Sequence, residues 1–301
     1  MKAIDFDTHK LSKLSFGTVQ LGLDYGISNV EGKPTQETAD EIIDYLIRED
    51  IDCFDTAVAY GNSEEVLGKA LSEQKNVHLI SKVKSDLFTD DVIETVESSL
   101  KRLSAKKLFA LLLHDSELLS DWTQEHALKV SLLQEKKLID YFGVSIYTSE
   151  EFNRAIENQT IKIIQIPFNL FDQRAVNDKW FKKAKEANKL IFIRSIFLQG
   201  FFFMDADKLT GNLVDAIPYL EAMHAFRKEL DLSIAEFTMA YVDSVAPDSV
   251  VLFGCDTLDQ AKENVNSYNN LPTIDKKLLK EINLKFSGIP KYILNPGQWS
   301  L

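Results

Sequence analysis

The stretch Leu108-Phe109-Ala110-Leu111-Leu112-Leu113-His114 is a short apolar run that ends in a histidine. Two earlier runs have a similar form, Cys53-Phe54-Asp55-Thr56-Ala57 and Val77-His78-Leu79-Ile80-Ser81-Lys82. Continuous apolar runs of this length, with helical patterns between them, are typical of strands buried in a parallel sheet. The three runs therefore predict consecutive parallel strands whose polar residues lie at or near one edge of the sheet.

The same alternation of strand-like and helix-like segments continues along the chain. Alternation of this kind gives a parallel sheet covered by helices, and eight units suit a closed barrel. No Gly-x-Gly-x-x-Gly follows the first strand, which disfavours a doubly wound dinucleotide-binding sheet. We predict an α/β fold, a (β/α)8 TIM barrel with an N-terminal strand segment and C-terminal substrate loops. Its strands are predicted at Leu14–Val19, Asp52–Ala57, His78–Val83, Leu108–His114, Ile139–Ser145, Ile161–Phe168, Leu190–Ser195 and Val250–Cys255.

No linker rich in proline, glycine or serine divides these units, so residues 1–301 are predicted to form a single domain. Two segments fall outside the eight units. The connection Phe201–Leu230 is predicted to carry an extra helix around Val214–Leu230, and the tail Asp275–Leu301 another helix and a final loop. Long loops at the C-terminal face of a barrel shape substrate sites. The aromatic run Phe201–Phe203 is either core or a substrate wall, and Trp299 is either a tail anchor or a pocket lid.

The composition excludes several classes of partner. The net charge of −12 argues against nucleic acid and anionic membranes, which both need a basic surface. No stretch approaches the ~18 apolar residues of a membrane span, and the first residues lack the apolar core of a signal peptide.

Cys53 and Cys255 fall in predicted strands and are expected to be buried free thiols, and no cluster suggests a metal. A cytoplasmic location follows as the expectation, and the oligomeric state is left open.

Four polar residues, Asp55, Tyr60, Lys82 and His114, are predicted at or just beyond the ends of adjacent strands. In a parallel barrel these ends form the catalytic mouth. Reduction of a carbonyl by hydride creates an alkoxide that must receive a proton, and a tyrosine is a usable weak acid. A lysine beside a tyrosine stabilises its phenolate, an aspartate holds that lysine charged, and a histidine can orient the carbonyl. The four residues together predict a proton-donating unit for carbonyl reduction.

The chain resembles the aldo-keto reductases over nearly its whole length, from Leu14 to about Ser267. The resemblance is carried by Gly17-Thr18, Phe54-Asp55-Thr56-Ala57-Val58-Ala59-Tyr60-Gly61, Ser81-Lys82-Val83 and His114. It implies that Tyr60 is the general acid, that Lys82 stabilises its phenolate, that Asp55 is the counter-ion of the lysine and that His114 orients the carbonyl. It also implies an NAD(P)H cofactor and a small carbonyl substrate.

Further stretches resemble the cofactor site of the family, with two departures. Ile146 stands where many members have Asn, and Arg194 stands where many have a tyrosine that stacks on the nicotinamide. Arg194 could stack in its place, grip a pyrophosphate or bind an anionic substrate. The resemblance implies cofactor contacts from Gly17, Thr18, Ser145, Gln165, Arg194, Ser195, Gly254, Asp256, Thr257, Gln260, Glu263 and Asn264. Candidates for the substrate pocket are Gln20, Tyr25, Tyr147 and Trp299.

The strand-eight loop favours NADH slightly over NADPH. No lysine or arginine occupies Gly254, Asp256 or Gln260, and an acid there binds a ribose hydroxyl and repels a 2′-phosphate. Lys262 could supply the missing charge and reverse that preference.

The segment Arg194–Gly200 resembles a bacterial branch often found with surface-sugar biosynthesis, which suggests a keto-sugar substrate.

Two other functions remain open on the sequence alone. A cofactor-sensing regulatory protein would keep the nucleotide site and have little or no turnover, and the unusual Arg194 and Ile146 permit this. A barrel lyase or isomerase would use Lys82 as a Schiff base. The intact set of four polar residues favours the reductase.

Overall fold

The computed structural model describes residues 1–29, 32–72, 74 and 76–300, and these residues contain ten strands. They are β1 (Ala3–Phe6), β2 (His9–Ser12), β3 (Leu14–Gly17), β4 (Cys53–Asp55), β5 (His78–Val83), β6 (Leu108–Leu113), β7 (Ile139–Ser145), β8 (Ile163–Pro167), β9 (Leu190–Arg194) and β10 (Val250–Phe253). Strands β3 to β10 close into a barrel in which every neighbouring pair is parallel and β10 pairs with β3. The predicted (β/α)8 barrel is confirmed.

Helices follow the barrel strands and cover the outside of the sheet. They are α1 (Val19–Gly22), α2 (Gln36–Arg48), α3 (Ser63–Ala70), α4 (Ser85–Arg102), α5 (Gln124–Glu135), α6 (Ser149–Glu157), α7 (Arg174–Asn177), α8 (Trp180–Glu186), α9 (Ile217–Glu229), α10 (Ile234–Val245), α11 (Leu258–Asn269) and α12 (Lys276–Lys285). None of the helices in these residues has both the length and the apolar character needed to cross a bilayer.

The connection after β8 contains two short helices, α7 and α8, on either side of Lys179. Lys179 has a left-handed backbone, with φ of 58°. A left-handed residue cannot continue a right-handed helix, so the chain turns there and a new helix begins at Trp180.

The hairpin formed by β1 and β2 closes the N-terminal end of the barrel. Its strands pair antiparallel, and Ile4 and Leu11 pack in one buried cluster with barrel residues such as Phe109 and Ile163. Apolar side chains fill the interior of such a barrel as layers, so the interior is a packed core. Because the hairpin covers the N-terminal end, the C-terminal end is the open one.

The barrel strands end slightly earlier than predicted, which places several polar residues just past the strands. Thr56 and Ala57 follow β4, and His114 follows β6. Cys255 lies two residues beyond β10 and not within a strand, but both cysteines are free and buried as expected. Thr56 and His114 lie at the open end of the barrel, and their backbone N–H groups still donate to the neighbouring strand, to Ile80 and Val83 at 2.8 Å.

The long connection after β9 and the C-terminal tail pack against each other. Asn212 donates its side-chain amide to the carbonyl of Gln298 at 2.9 Å and accepts from the backbone of Ser300 at 3.0 Å. Gly211 has φ of 56°, and a Cβ there would lie 1.6 Å from the carbonyl oxygen of Ser300. The tail therefore needs a glycine at its docking point, and its final loop is held over the open end of the barrel.

Candidate active site

A cavity of about 760 Å³ opens at the C-terminal end of the barrel. This volume lies in the range of ligand pockets in proteins. Its wall combines strand-end residues with three loops, at 25–29, at 195–203 and at 294–297. Of the residues predicted for the site, it is lined by Gly17, Thr18, Gln20, Tyr25, Asp55, Tyr60, His114, Ser145, Tyr147, Gln165, Arg194, Ser195, Gly254, Asp256, Gln260, Glu263 and Asn264.

A buried ion pair joins two strands beneath this cavity. The ammonium of Lys82 on β5 contacts the carboxylate of Asp55 at the end of β4, and both side chains are almost fully buried. Lys82 also donates to the carbonyl of Thr56 at 2.9 Å. Burial lowers the pKa of Lys82, but the Asp55 carboxylate and the Tyr60 oxygen together outweigh burial and raise the pKa of the lysine. Lys82 is therefore held as a cation at physiological pH.

Tyr60 lies between this ion pair and the cavity. Its hydroxyl oxygen is 3.5 Å from the Lys82 ammonium, which also lies 5.0 Å from the centre of the phenol ring. A cation at this distance stabilises a phenolate, so the arrangement can support loss of the phenolic proton into the cavity. The pair predicted from sequence, a tyrosine with a lysine behind it, is brought together.

The loop that carries Tyr60 is fixed by close backbone packing against α1. A Cβ on Gly22 would lie 1.7 Å from the carbonyl oxygen of Tyr60, and one on Gly61 would lie 2.4 Å from the carbonyl oxygen of Gly22. Ser63 donates its hydroxyl to the carbonyl oxygen of Thr18 at 2.7 Å. Sequence reasoning missed Gly22 and Ser63, although a glycine beside a predicted strand end is a signal for such an approach.

His114 completes the group beside Tyr60. Its ring meets the Tyr60 ring edge-on, with 5.4 Å between the ring centres. Burial, together with the charges of Lys82 and Arg194, lowers the pKa of His114 to about 4. Its Nδ1 atom is buried, with no hydrogen-bond partner among the described residues. His114 is thus a neutral imidazole at pH 7.

Gln165 connects the cofactor and proton-donating parts of the cavity wall. Its side-chain amide donates to the second carboxylate oxygen of Asp55 at 2.8 Å, a contact that sequence reasoning did not foresee. Ser145 lies beside it, because β7 and β8 pair with these two residues in register. The side-chain amide oxygen of Gln165 and the hydroxyl of Ser145 are the groups that can still bind a ligand.

Arg194 extends from the end of β9 across the cavity wall. Its guanidinium lies 4.2 Å from the centre of the Tyr147 ring. It donates to the hydroxyls of Ser145 at 3.4 Å and Ser195 at 3.3 Å, and to the carbonyl of Ile146 at 3.3 Å. The side chain of Ile146 is fully buried in the core, so the residue that replaces the expected asparagine offers only its backbone to the site.

Two loops meet above the cavity. The backbone N–H of Ile27 donates to the carbonyl of Gln199 at 3.0 Å, and Asn29 donates to Asp256 at 3.2 Å. Gly200 has φ of 86°, and a Cβ there would lie 2.0 Å from the hydroxyl of Ser28. The loops at 25–29 and 195–203 thus form a roof over the middle of the cavity.

The far end of the cavity is formed by the strand-eight loop and the start of α11. Burial raises the pKa of Asp256 to about 6, and its backbone N–H donates to the side chain of Gln260 at 2.7 Å. Gln20 packs on Gly254, where a Cβ would lie 2.4 Å from its amide nitrogen. The amide oxygen of Gln20 is buried and has no partner among the described residues.

Three predicted site residues do not line the cavity. Lys82 lies behind Tyr60 and Asp55. Thr257 caps α11 by accepting from the backbone of Gln260 at 3.2 Å. The indole N–H of Trp299 donates to the carbonyl of Ile293 at 3.0 Å, and the indole packs against Phe201 with 5.8 Å between the ring centres. These contacts hold the tail against the core. Trp299 is therefore a tail anchor in this structure, and its neighbours Pro296 and Gly297 line the cavity instead.

The aromatic run divides between the two roles that the sequence allowed. Phe201 and Phe202 are fully buried in the core beneath the long connection. Phe203 is 43% exposed and lines the cavity, where it packs on Phe197 at 5.3 Å.

A separate group of potential metal ligands lies at the opposite end of the barrel. Ligand atoms of Asp52, Cys53 and His78 are within 4.8 Å of one another. Burial raises the pKa of the Cys53 thiol well above its ordinary value. A protonated thiol is a poor metal ligand, and the sequence-based expectation that the chain binds no metal stays a prediction.

Known proteins share this architecture. Several solved structures match in fold. Aldo-keto reductase AKR11C1 from Bacillus halodurans in its holo form has TM-score 0.75 and 19% identity, with coverage of 95% of this chain and 96% of that one. The glycerol dehydrogenase AKR11B4 from Gluconobacter oxydans has TM-score 0.76 and 20% identity, with coverage of 96% of this chain and 97% of that one. An aldo/keto reductase from Klebsiella pneumoniae in complex with NADP and acetate has TM-score 0.71 and 16% identity, and covers 95% of each chain.

Sequence comparison agrees with the fold. The uncharacterized oxidoreductase YqkF of Bacillus subtilis is 22% identical over 283 residues, which cover 86% of this chain and 92% of that protein. The aldo-keto reductase YhdN of the same organism is 28% identical over 193 residues, or 60% of this chain and 56% of that protein. The model of the aldo/keto reductase family matches residues 13–284, most of the length. The chain belongs to the aldo/keto reductase family and is an NAD(P)H-dependent enzyme.

Proposed function

We propose that the protein reduces an aldehyde or ketone to an alcohol, with Tyr60 as the general acid. The observation that carries this proposal is the Lys82 ammonium, buried against Asp55 and 3.5 Å from the Tyr60 hydroxyl. When bound, a reduced nicotinamide supplies the hydride for the carbonyl carbon. Tyr60 gives its proton to the carbonyl oxygen, Lys82 stabilises the resulting phenolate, and solvent returns the proton. Neutral His114 orients the carbonyl by hydrogen bonding.

The residues of the cavity fit a nicotinamide nucleotide. Ser145 and the side-chain amide oxygen of Gln165 would hold the carboxamide. The amide oxygen of Gln20, which has no partner among the described residues, lies against Gly254 on the strand-eight side. Gly17, Thr18, Arg194 and Ser195 also line the cavity. We propose that the adenosine is held by Gly254, Asp256, Gln260, Glu263 and Asn264, with Thr257 shaping the helix start.

Turnover on a panel of carbonyls tests the proposal. The wild-type protein would be mixed with NADH or NADPH and an activated aldehyde such as 4-nitrobenzaldehyde, a ketone or a keto-sugar, and loss of the reduced nicotinamide followed by absorbance. We expect consumption of one nicotinamide for each alcohol formed. Absence of turnover with both nucleotides across the panel would overturn the proposal.

We propose that NADH is preferred over NADPH because Asp256 places a carboxylate at the adenosine end. Of the described residues that line the cavity, none at this end is a lysine or arginine. Like charges in contact disfavour a 2′-phosphate. We expect Asp256→Asn to raise the ratio of kcat/KM for NADPH to that for NADH by about tenfold at pH 8, measured under initial-rate conditions.

Asp259→Asn is the matched control for this prediction. Asp259 is an exposed acid in the first turn of α11, three residues beyond Asp256, and its carboxylate lies 3.6 Å from the ammonium of Lys262. We expect it to leave the cofactor ratio unchanged. If Asp259→Asn changes the NADPH-to-NADH ratio and Asp256→Asn does not, then Lys262, released from Asp259, is the residue that binds the 2′-phosphate. The proposed preference for NADH would then be wrong.

The lowered pKa of His114 predicts the acid side of the pH profile. Its pKa of about 4, against an ordinary value of 6.5, means that the imidazole stays neutral as pH falls from 7 to 5. We expect kcat/KM to show no acidic limb near pH 6.5, and the ring proton shifts of His114 to stay constant over that range by NMR. An acidic limb near 6.5 that disappears in His114→Asn would contradict a neutral histidine.

A further inference from the structure

Arg194 is the sole lysine or arginine among the described residues that line the cavity. The protein as a whole carries a net charge of −12, so a cation facing this cavity stands out from its surroundings. A guanidinium is always charged and presents donors in a planar fork that matches carboxylate and phosphate oxygens. The question is what its charge binds.

The contacts of Arg194 leave that charge uncompensated. No ion pair joins it to a carboxylate in the part of the chain that the structure describes, whereas Arg102 and Arg174 pair with Glu64 and Asp172. Its hydrogen bonds reach only hydroxyls and one backbone carbonyl, at 3.3 to 3.4 Å. These distances are longer than those of charge-assisted hydrogen bonds, at about 2.7–2.9 Å. The guanidinium therefore has donors left for an anion.

The described side chains that line the carbonyl end of the cavity have a net positive charge. Lys82 is neutralised by Asp55, and His114 is neutral at pH 7, which leaves Arg194 as the remaining charge there. The acids that line the cavity besides Asp55 are Asp256 and Glu263, which belong to the strand-eight loop and α11 at the other end.

The guanidinium packs against Tyr147, a residue predicted for the substrate pocket. It packs at 4.2 Å on the ring of Tyr147, which is 44% exposed at the cavity rim. Tyr147 is fixed by its backbone N–H, which donates to Glu151 at 2.6 Å. The charge of Arg194 also acts on Tyr25 and His114, two more residues of the carbonyl end. An anion bound by Arg194 would thus share the cavity with Tyr60 and His114, within electrostatic reach of the histidine.

We propose that the substrate is a carbonyl compound that carries a carboxylate or phosphate, and that Arg194 binds this anionic group. The inference rests on the proposed reductase function and adds the class of substrate. It requires the carbonyl to lie between Tyr60 and His114 while the anionic group reaches Arg194 beside Tyr147. The product is then a hydroxy acid or a phosphorylated alcohol.

Matched pairs of aldehydes test the proposal. 4-Formylbenzoate and its methyl ester have nearly the same shape and differ in charge, and glyceraldehyde 3-phosphate and glyceraldehyde form the corresponding phosphate pair. The ratio of kcat/KM for the charged to the neutral member is measured at saturating nucleotide, in wild type and in Arg194→Gln. We expect Arg194→Gln to lower this ratio by about 10- to 100-fold for at least one pair. The pair that responds identifies the anionic group.

Two further variants make the result specific. Lys84→Gln removes an exposed cation whose charge also acts on His114 but which does not line the cavity, and we expect it to leave the ratio unchanged. Arg194→Lys keeps the charge without the planar fork and should recover part of the ratio. Dissociation constants for NADH, from fluorescence quenching, are measured for every variant.

The outcomes distinguish a failure of the anionic-substrate proposal from a failure of the proposed carbonyl reduction. An unchanged ratio in Arg194→Gln, with turnover of both neutral aldehydes intact, overturns the anionic substrate and leaves the reductase standing. An unchanged ratio together with a large rise in the NADH dissociation constant assigns Arg194 to the cofactor instead. No turnover of either pair by the wild type, with no turnover on the wider panel, removes the proposed function itself.

Discussion

Tyr60→Phe is expected to lower kcat by about 10²- to 10⁴-fold, the range of a lost general acid. The phenyl ring keeps the edge-on contact with His114 but has no proton to give to the carbonyl oxygen. The charge on Lys82 stays compensated by Asp55, so we expect the free energy of unfolding to change little. Rates at saturating nucleotide and aldehyde measure the loss, and the dissociation constant for NADH shows that the nucleotide still binds.

Tyr25→Phe is the matched control for this experiment. Tyr25 is another phenol in the cavity wall, but none of the lysines that the structure describes contacts it, and burial raises its pKa to about 12. Removal of its hydroxyl should act on KM for the carbonyl more than on kcat. If the two variants lose kcat to the same extent, or if Tyr60→Phe keeps most of it, Tyr60 is not the proton donor.

The four polar residues could be predicted because each follows a recognisable apolar run. Asp55, Lys82 and His114 are placed by β4, β5 and β6, and a parallel barrel brings the ends of adjacent strands together whatever the helices between them do. Tyr60 depends on a tight loop, yet it stands only five residues beyond Asp55, so its distance from the strand end is limited by the length of the chain.

Other features of the site depend on contacts between distant segments, which a pattern along one sequence does not encode. The bond from Gln165 to Asp55 joins residues 110 positions apart. The roof formed by Ile27 and Gln199 joins two loops whose backbones take left-handed conformations at several residues. Trp299 was a plausible lid by position, and only its bond to Ile293 shows that it anchors the tail. Loop packing of this kind is set by tertiary structure.

Lys82→Met is expected to destabilise the protein by about 3–5 kcal/mol, the cost of breaking a buried ion pair by removal of one partner. Both side chains of the pair are at most 3% exposed, so water cannot replace the lysine. Among the described residues, the Asp55 carboxylate would keep only the bond from Gln165 at 2.8 Å and would remain buried without a counter-ion. Urea unfolding followed by circular dichroism measures the loss as a lower midpoint with a similar slope. We expect kcat to fall as well, because the Tyr60 phenolate loses its cation.

The double variant Lys82→Met with Asp55→Asn separates charge from packing. With the carboxylate replaced by an amide, no uncompensated charge stays buried, and replacing a whole ion pair is often nearly neutral for stability. We therefore expect the double variant to recover most of the lost unfolding free energy while kcat stays as low as in Lys82→Met. A double variant no more stable than the single one would mean that methionine packs badly between β4 and β5. Recovery of kcat along with stability would mean that the lysine acts only by supporting the fold, and that the Tyr60 proton is transferred without it.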